Sequence, residues 1–234
     1  MEYLQSERRL GSSESADDDA QQEKLVALHI AELQQQIDAL PAEAPPDERL
    51  HLTLDSGYAL LQGNLFDQAW HTARQVLDEA VENQLWLRAV EACDIMFQSD
   101  REESVKALAH GIWLGVTFPI DPELSVAMLQ HLVDESPERS DGAAVAAATA
   151  GYLVELRAQG KQQEDLRFFT RQMLGQVARN HSQVEEQEIF DFWVERLELN
   201  DPGKFLPRLS QILDILTDGA WWFDKNQLRT RIPE

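Results

Sequence analysis

The sequence predicts an all-α protein. From Glu48 onward the chain reads as one apolar-faced segment after another at helical spacing, with short breaks and no run resembling a strand. Two segments make the point best. Leu54 to Val81 reads as two amphipathic helices around a Gly63-Asn64 turn, and Gly142 to Gln159 is an alanine-rich helix with no charge between Ala143 and Val154. The first cannot bury both faces alone and so requires neighbours. The second is apolar all round, which predicts that it is the central helix of the fold.

The remaining elements follow in order. Residues 1–20 are polar, acidic and Ser-rich, and are expected to form a disordered tail. In residues 21–46, a helix running from about Asp17 to Leu40 places Val26, Ile30, Leu33, Ile37 and Leu40 on one stripe. This stripe is expected to fold back on the body, because short helices need tertiary packing. Pairing with its copy in a second chain is the alternative, giving a homodimer through the same five residues. The Pro-rich stretch PAEAPPDE ends this helix. Residues 47–234 are expected to form a single helical domain.

Within that domain, Asp67 to Val81 and Leu85 to Phe97 are amphipathic, and Ser99 with Glu102 has the spacing of a capping box. Phe118-Pro119-Ile120-Asp121-Pro122 ends one helix and starts the next, with Asp121 as N-cap and Pro122 in the first turn. Helices are then expected at Lys161 to Asn180, Gln183 to Leu199 and Lys204 to Leu216. The first of these carries Lys161, Arg167, Arg171 and Arg179. The second carries Glu185, Glu186, Glu188, Asp191, Glu195 and Glu198, so the two are expected to pair.

Leu54 to Val81 resembles a tetratricopeptide repeat, a unit of paired antiparallel helices that stack into a superhelix with a peptide-binding concave face. Phe66-Asp67-Gln68-Ala69 matches the family's aromatic-to-alanine start of its second helix. Ala73 and Val76 stand where the family places an aromatic or small residue and then alanine, and Gly57 at its small position in the first helix. Gly63 lies one residue early for the turn glycine, Val81 replaces the closing proline, and no later segment repeats the pattern. The resemblance covers about thirty residues. It implies an irregular α-hairpin stack, or α-solenoid, with a compact multi-helix bundle as the alternative.

Charge narrows the partners. With 42 acidic against 20 basic residues, the net charge of −22 repels nucleic-acid phosphates and anionic lipid surfaces. No segment carries the apolar run of a signal peptide or membrane helix, so a cytoplasmic location is expected. The single cysteine, Cys93, sits among apolar residues and reads as core.

No phosphate loop, nucleophile elbow or metalloprotease motif occurs. Glu48 and His51 have a di-iron spacing but lack the second pair that such sites need, and His181 with Glu185 lacks a third ligand. His131 reads as a helix residue, and Asp17-Asp18-Asp19 as a solvated acidic run. No catalytic, cofactor or metal residues are therefore assigned. The partner-binding candidates are Arg167 and Arg171, one turn apart and able to clamp carboxylates, and Trp221 and Trp222 as aromatic anchors. The expected function is a non-catalytic module, an adaptor or assembly chaperone, that binds a protein or peptide. A helical-bundle enzyme or cofactor protein with a buried site, and a structural homodimer, are the alternatives.

Overall fold

The computed structural model describes residues 16–232, with residues 16–20 and 22 described by their backbone alone. Among these residues there are eleven helices and no strand: α1 (Ala16–Ala39), α2 (Pro46–Gln62), α3 (Phe66–Glu82), α4 (Trp86–Gln98), α5 (Ser104–Thr117), α6 (Pro122–Glu135), α7 (Asp141–Arg157), α8 (Gly160–Ser182), α9 (Gln187–Arg196), α10 (Pro202–Leu216) and α11 (Lys225–Arg229). The protein is all-α, and helices adjacent in sequence pack on one another through much of the chain. None of the described helices is long and apolar enough to cross a membrane. The chain divides into two compact units, one up to Leu114 and the other from Gly115 onward. The tail expected over residues 1–20 lies outside the described residues as far as residue 15, and from Ala16 the backbone is helical.

In the N-terminal unit, α1 packs along α2. Leu33 is buried and Val26, Ile30, Ile37 and Leu40 are half-buried, so the stripe is turned toward the chain's own α2. Gly63 permits this approach: a Cβ there would stand 3.0 Å from Val26 Cγ1. The turn itself is made by Asn64, not Gly63. Asn64 takes the left-handed conformation (φ 56°), and the next N–H, of Leu65, donates to the Leu60 carbonyl at 2.9 Å. The same turn recurs between α3 and α4, where Gln84 is left-handed (φ 61°) and Leu85 donates to Ala80 at 2.9 Å. Each turn delivers a leucine, an aromatic residue and, three further on, a buried alanine: Leu65, Phe66 and Ala69, then Leu85, Trp86 and Ala89.

Helix α4 is the interior of this unit, since every residue from Ala89 to Met96 is buried. That includes two carboxylates, which must be paired to be tolerated there. Asp94 accepts from Tyr58 Oη at 2.9 Å and from Gln98 Nε2 at 2.8 Å. Glu91 accepts from Arg88 at 2.9 Å, and Arg88 also reaches Asp47. Gly57 lets α2 approach α4, because a Cβ there would meet Ile95 Cδ1 at 2.9 Å. Ser99 is a correction to the expected capping box. It is the C-cap of α4 with helical angles (φ −74°, ψ −7°), and its hydroxyl donates to the Ile95 carbonyl at 2.7 Å. A capping residue must be extended, and the chain reverses only at Asp100 (φ 49°), so α5 starts at Ser104.

The C-terminal unit is organised by α7, which packs against α6, α8 and α10. Its residues from Ala143 to Ala150 are all buried, as an alanine-rich helix without a polar face requires. Ser140 caps its start, accepting from the Gly142 N–H at 3.0 Å, and Tyr152 meets Phe205 of α10 edge to face at 6.0 Å. Asp121 caps α6 as expected, accepting from the Glu123 N–H at 2.8 Å with Pro122 in the first turn. At the other end of α7, the Arg157 guanidinium donates to the Gly115 carbonyl at 2.5 Å and to Val116 at 2.7 Å, capping the last turn of α5. Burial lowers the pKa of Arg157. A tight turn at Ala158-Gln159 then sends α8 back along α7.

Candidate functional site

Helices α8 and α9 carry the side chains left over from packing. Helix α8 buries Leu166, Thr170, Met173, Val177 and Ala178. Phe168 falls about 200° around the helix from Leu166, so it points away from that seam and is 67% exposed. Helix α9 buries Trp193, with Phe190 half-buried beside it at 6.0 Å between ring centroids. Beside this seam, Ile189 is 51% and Phe192 63% exposed, and the exposed carboxylates Glu188, Asp191 and Glu195 continue around the helix past Phe192.

The two arginines singled out from the sequence have different fates. Arg167 is engaged by a two-pronged pair with Glu155 of α7 at 2.6 and 2.7 Å, which holds the Glu155 carboxyl below its usual range. Its partner is thus on the preceding helix rather than the following acidic one, because the hairpin at Ala158-Gln159 puts Glu155 opposite Arg167. Arg171 is exposed and lies, with Arg179, on one wall of a groove of about 530 Å³ between α8 and the start of α9. Leu174, Gly175, Val184 and Phe190 line the groove, and Glu185 and Glu186 stand at its other side. Arg179 Nη1 would lie 3.5 Å from a Cβ at Gly175, so its guanidinium folds back over that glycine. Helix α9 is shorter than the expected Gln183 to Leu199, because Gln183 is left-handed (φ 54°) and ends α8.

His181 joins several elements of this unit. Its Nε2 lies 3.0 Å from Asp141 Oδ1, while Trp193 Nε1–H donates to its Nδ1 at 3.3 Å and Ser182 Oγ is 2.5 Å from the same nitrogen. The indole donor makes Nδ1 the acceptor and leaves the proton on Nε2, facing the carboxylate. A serine–histidine–carboxylate order recurs in nucleophilic hydrolases. Here the lone pair of Nδ1 is divided between an indole and a hydroxyl, and Arg208 reaches the other oxygen of Asp141 at 3.4 Å. The cluster ties the start of α7, the end of α8, α9 and α10 together. A recess of about 250 Å³ beside it is lined by Gln130, Asp134, Ser140, Gln176, Asn180 and His181 among others.

The C-terminal aromatics are half-buried. Trp221 Nε1 donates to Asp214 at 2.9 Å, Lys225 lies 3.9 Å over its ring, and Phe223 packs at 5.9 Å. Trp221 is therefore engaged within the unit, with Trp222 half-buried beside it. Elsewhere, His51 pairs with Asp55 at 3.8 Å, and His131 is buried in α6. Cys93 is buried in α4, and burial first, then Asp94, pushes its thiol far up. Among the described residues no group of three or more His, Cys, Asp or Glu is placed to hold a metal ion. The side chains of Asp17, Asp18 and Asp19 lie outside the described residues.

Sequence reasoning singled out charges on α8 and α9 and passed over Phe168, Ile189 and Phe192. The signal was present: Phe168 lies two residues from Leu166, off the buried stripe. No known protein family, curated protein or solved structure matches the chain.

Proposed function

We propose that this chain is a non-catalytic protein-binding module, an adaptor or assembly chaperone, that receives a basic amphipathic segment of a partner on the outer flank of α9. The observation that carries this reading is Ile189 and Phe192, exposed together one turn apart, with the exposed carboxylates Glu188, Asp191 and Glu195 along the Phe192 side and a single cation, Arg196, one turn after Phe192. Large apolar side chains exposed as a pair are costly in water and serve as anchors when covered. Flanking carboxylates accelerate encounter with a positively charged partner. The successive helical hairpins support an irregular hairpin stack, the architecture that the Leu54 to Val81 resemblance implies.

The test is site-specific photocrosslinking in cells, with a benzophenone side chain at Phe192 and, as control, at Lys204. Adducts of discrete mass from position 192 are expected, and they should fade when Glu188, Asp191 and Glu195 are all changed to serine. Equal yields from both positions would refute the reading. An adduct of twice the chain's own mass would replace the foreign partner with a second copy.

A further inference from the structure

We infer that the outer face of α8 docks a second copy of this chain, antiparallel, about a two-fold axis passing between Arg171 and Gln172. The surface is separate from the flank carrying Ile189 and Phe192, neither of which lines the α8–α9 groove. Lys161, Glu164, Phe168, Arg171 and Gly175 recur at alternating three- and four-residue spacing, the pattern of a helix face that meets another helix. Lys161, Glu164, Phe168 and Arg171 are exposed and Gly175 is half-buried.

The order of residues along this stripe is self-complementary. Phe168 and Gly175 are equidistant from the proposed axis, as are Glu164 and Arg179. An antiparallel copy therefore sets each Phe168 over the other chain's Gly175, a position without a side chain of its own, which Arg179 uncovers when it swings from that glycine to the partner's Glu164. There Phe168 enters the groove lined by Leu174, Val184 and Phe190. The same rotation sets each Glu164 against the other chain's Arg179. Among the described residues Arg179 has no ion pair of its own, whereas the two Arg171 side chains flank the axis as like charges, which limits affinity. Isologous interfaces require such reciprocity of a patch with itself. One helix face covers less than the roughly 1,600 Å² of a standard interface, so the dimer is weak, with a Kd on the order of 10–100 μM.

Sedimentation equilibrium on the full chain between low and high micromolar concentration should show a monomer–dimer equilibrium. Phe168→Ala should weaken it by about tenfold or more. Glu164→Arg and Arg179→Glu should each weaken it, and combining the two in one chain should restore it, because the swapped pair is again complementary. A second readout fixes the register. Phe168→Cys with Gly175→Cys should form a disulfide only between chains, since the two positions lie about 10 Å apart on one helix. A chain monomeric throughout, a combined variant no better than the single reversals, or absence of the interchain disulfide overturns the proposal. So does a dimer that survives every α8 change but is lost on Ile30→Asp, which would belong to the stripe of α1.

Discussion

Replacing Arg157 with methionine removes the two hydrogen bonds that cap α5 while keeping most of the apolar stem. The guanidinium donates at 2.5 and 2.7 Å to the carbonyls of Gly115 and Val116, which have no following turn of helix to satisfy them, although Gly115 also accepts from the Ser125 hydroxyl at 3.1 Å. Hydrogen bonds from a charged donor contribute roughly 1.5–3 kcal/mol each, and water recovers part of that at a half-buried site. Because Gly115 keeps its bond from Ser125, the expected loss is about 1–3 kcal/mol in total. Arg157→Lys retains a charge but only a single-point donor, so it should recover about half of that loss. Urea unfolding followed by circular dichroism reads both variants as shifts of the midpoint at unchanged slope. An Arg157→Met chain within about 0.5 kcal/mol of the parent, or a lysine variant as stable as arginine, would refute the capping argument.

Three further outcomes are expected. Asp214 has its pKa lowered, first by the bond from Lys225 and then by that from Trp221, against the opposing effect of burial. Its contribution is thus present above the ordinary carboxylate pKa and lost as pH falls through the lower folded value. Asp214→Asn should destabilise modestly near neutrality, by less than about 1 kcal/mol given its exposure, and not in strong acid; thermal melts across pH show whether the two curves converge. Cys93, buried and with its thiol pushed up, should resist a colorimetric disulfide reagent in the native protein and react fully in denaturant; fast native labelling would contradict its placement in α4. Gly57→Ala should cost on the order of 1 kcal/mol, since its Cβ would displace the fully buried Ile95 Cδ1 while alanine's helix preference offsets part of that, and Gly57→Leu should cost about 1–3 kcal/mol or more in the same melts.

Much of the architecture is legible in the sequence. The alanine run of α7 has no polar face to offer solvent, so its central place in its unit followed from composition. Asp121-Pro122 fixed a helix start within one residue, because side-chain cap and ring constraint act locally. What escaped were features set by tertiary geometry. The left-handed turns fall at Asn64, Gln84 and Asp100 rather than at glycines, so the recurrence of Leu65-Phe66 and Leu85-Trp86 was passed over and Ser99 was placed at the wrong helix end. The partner of Arg167 depended on which neighbour the hairpin brought alongside. Trp221 read as a candidate anchor until Asp214 and Lys225, seven residues before it and four after, proved to hold it. Phe168 and Phe192 were readable as departures from their helices' buried stripes, but only once those stripes had been located.

The proposed binding face on α9 is held by apolar contact and steered by charge. Fluorescence anisotropy of a labelled Lys/Leu amphipathic helix titrated with the chain tests it directly, comparing the parent with Ile189→Ser/Phe192→Ser, which alters no charge. Saturable binding that weakens at least about tenfold in the double variant, and falls with added salt in both, is the predicted result. Equal affinity in the two chains would contradict the claim, leaving only a nonspecific attraction between an acidic protein and a basic peptide.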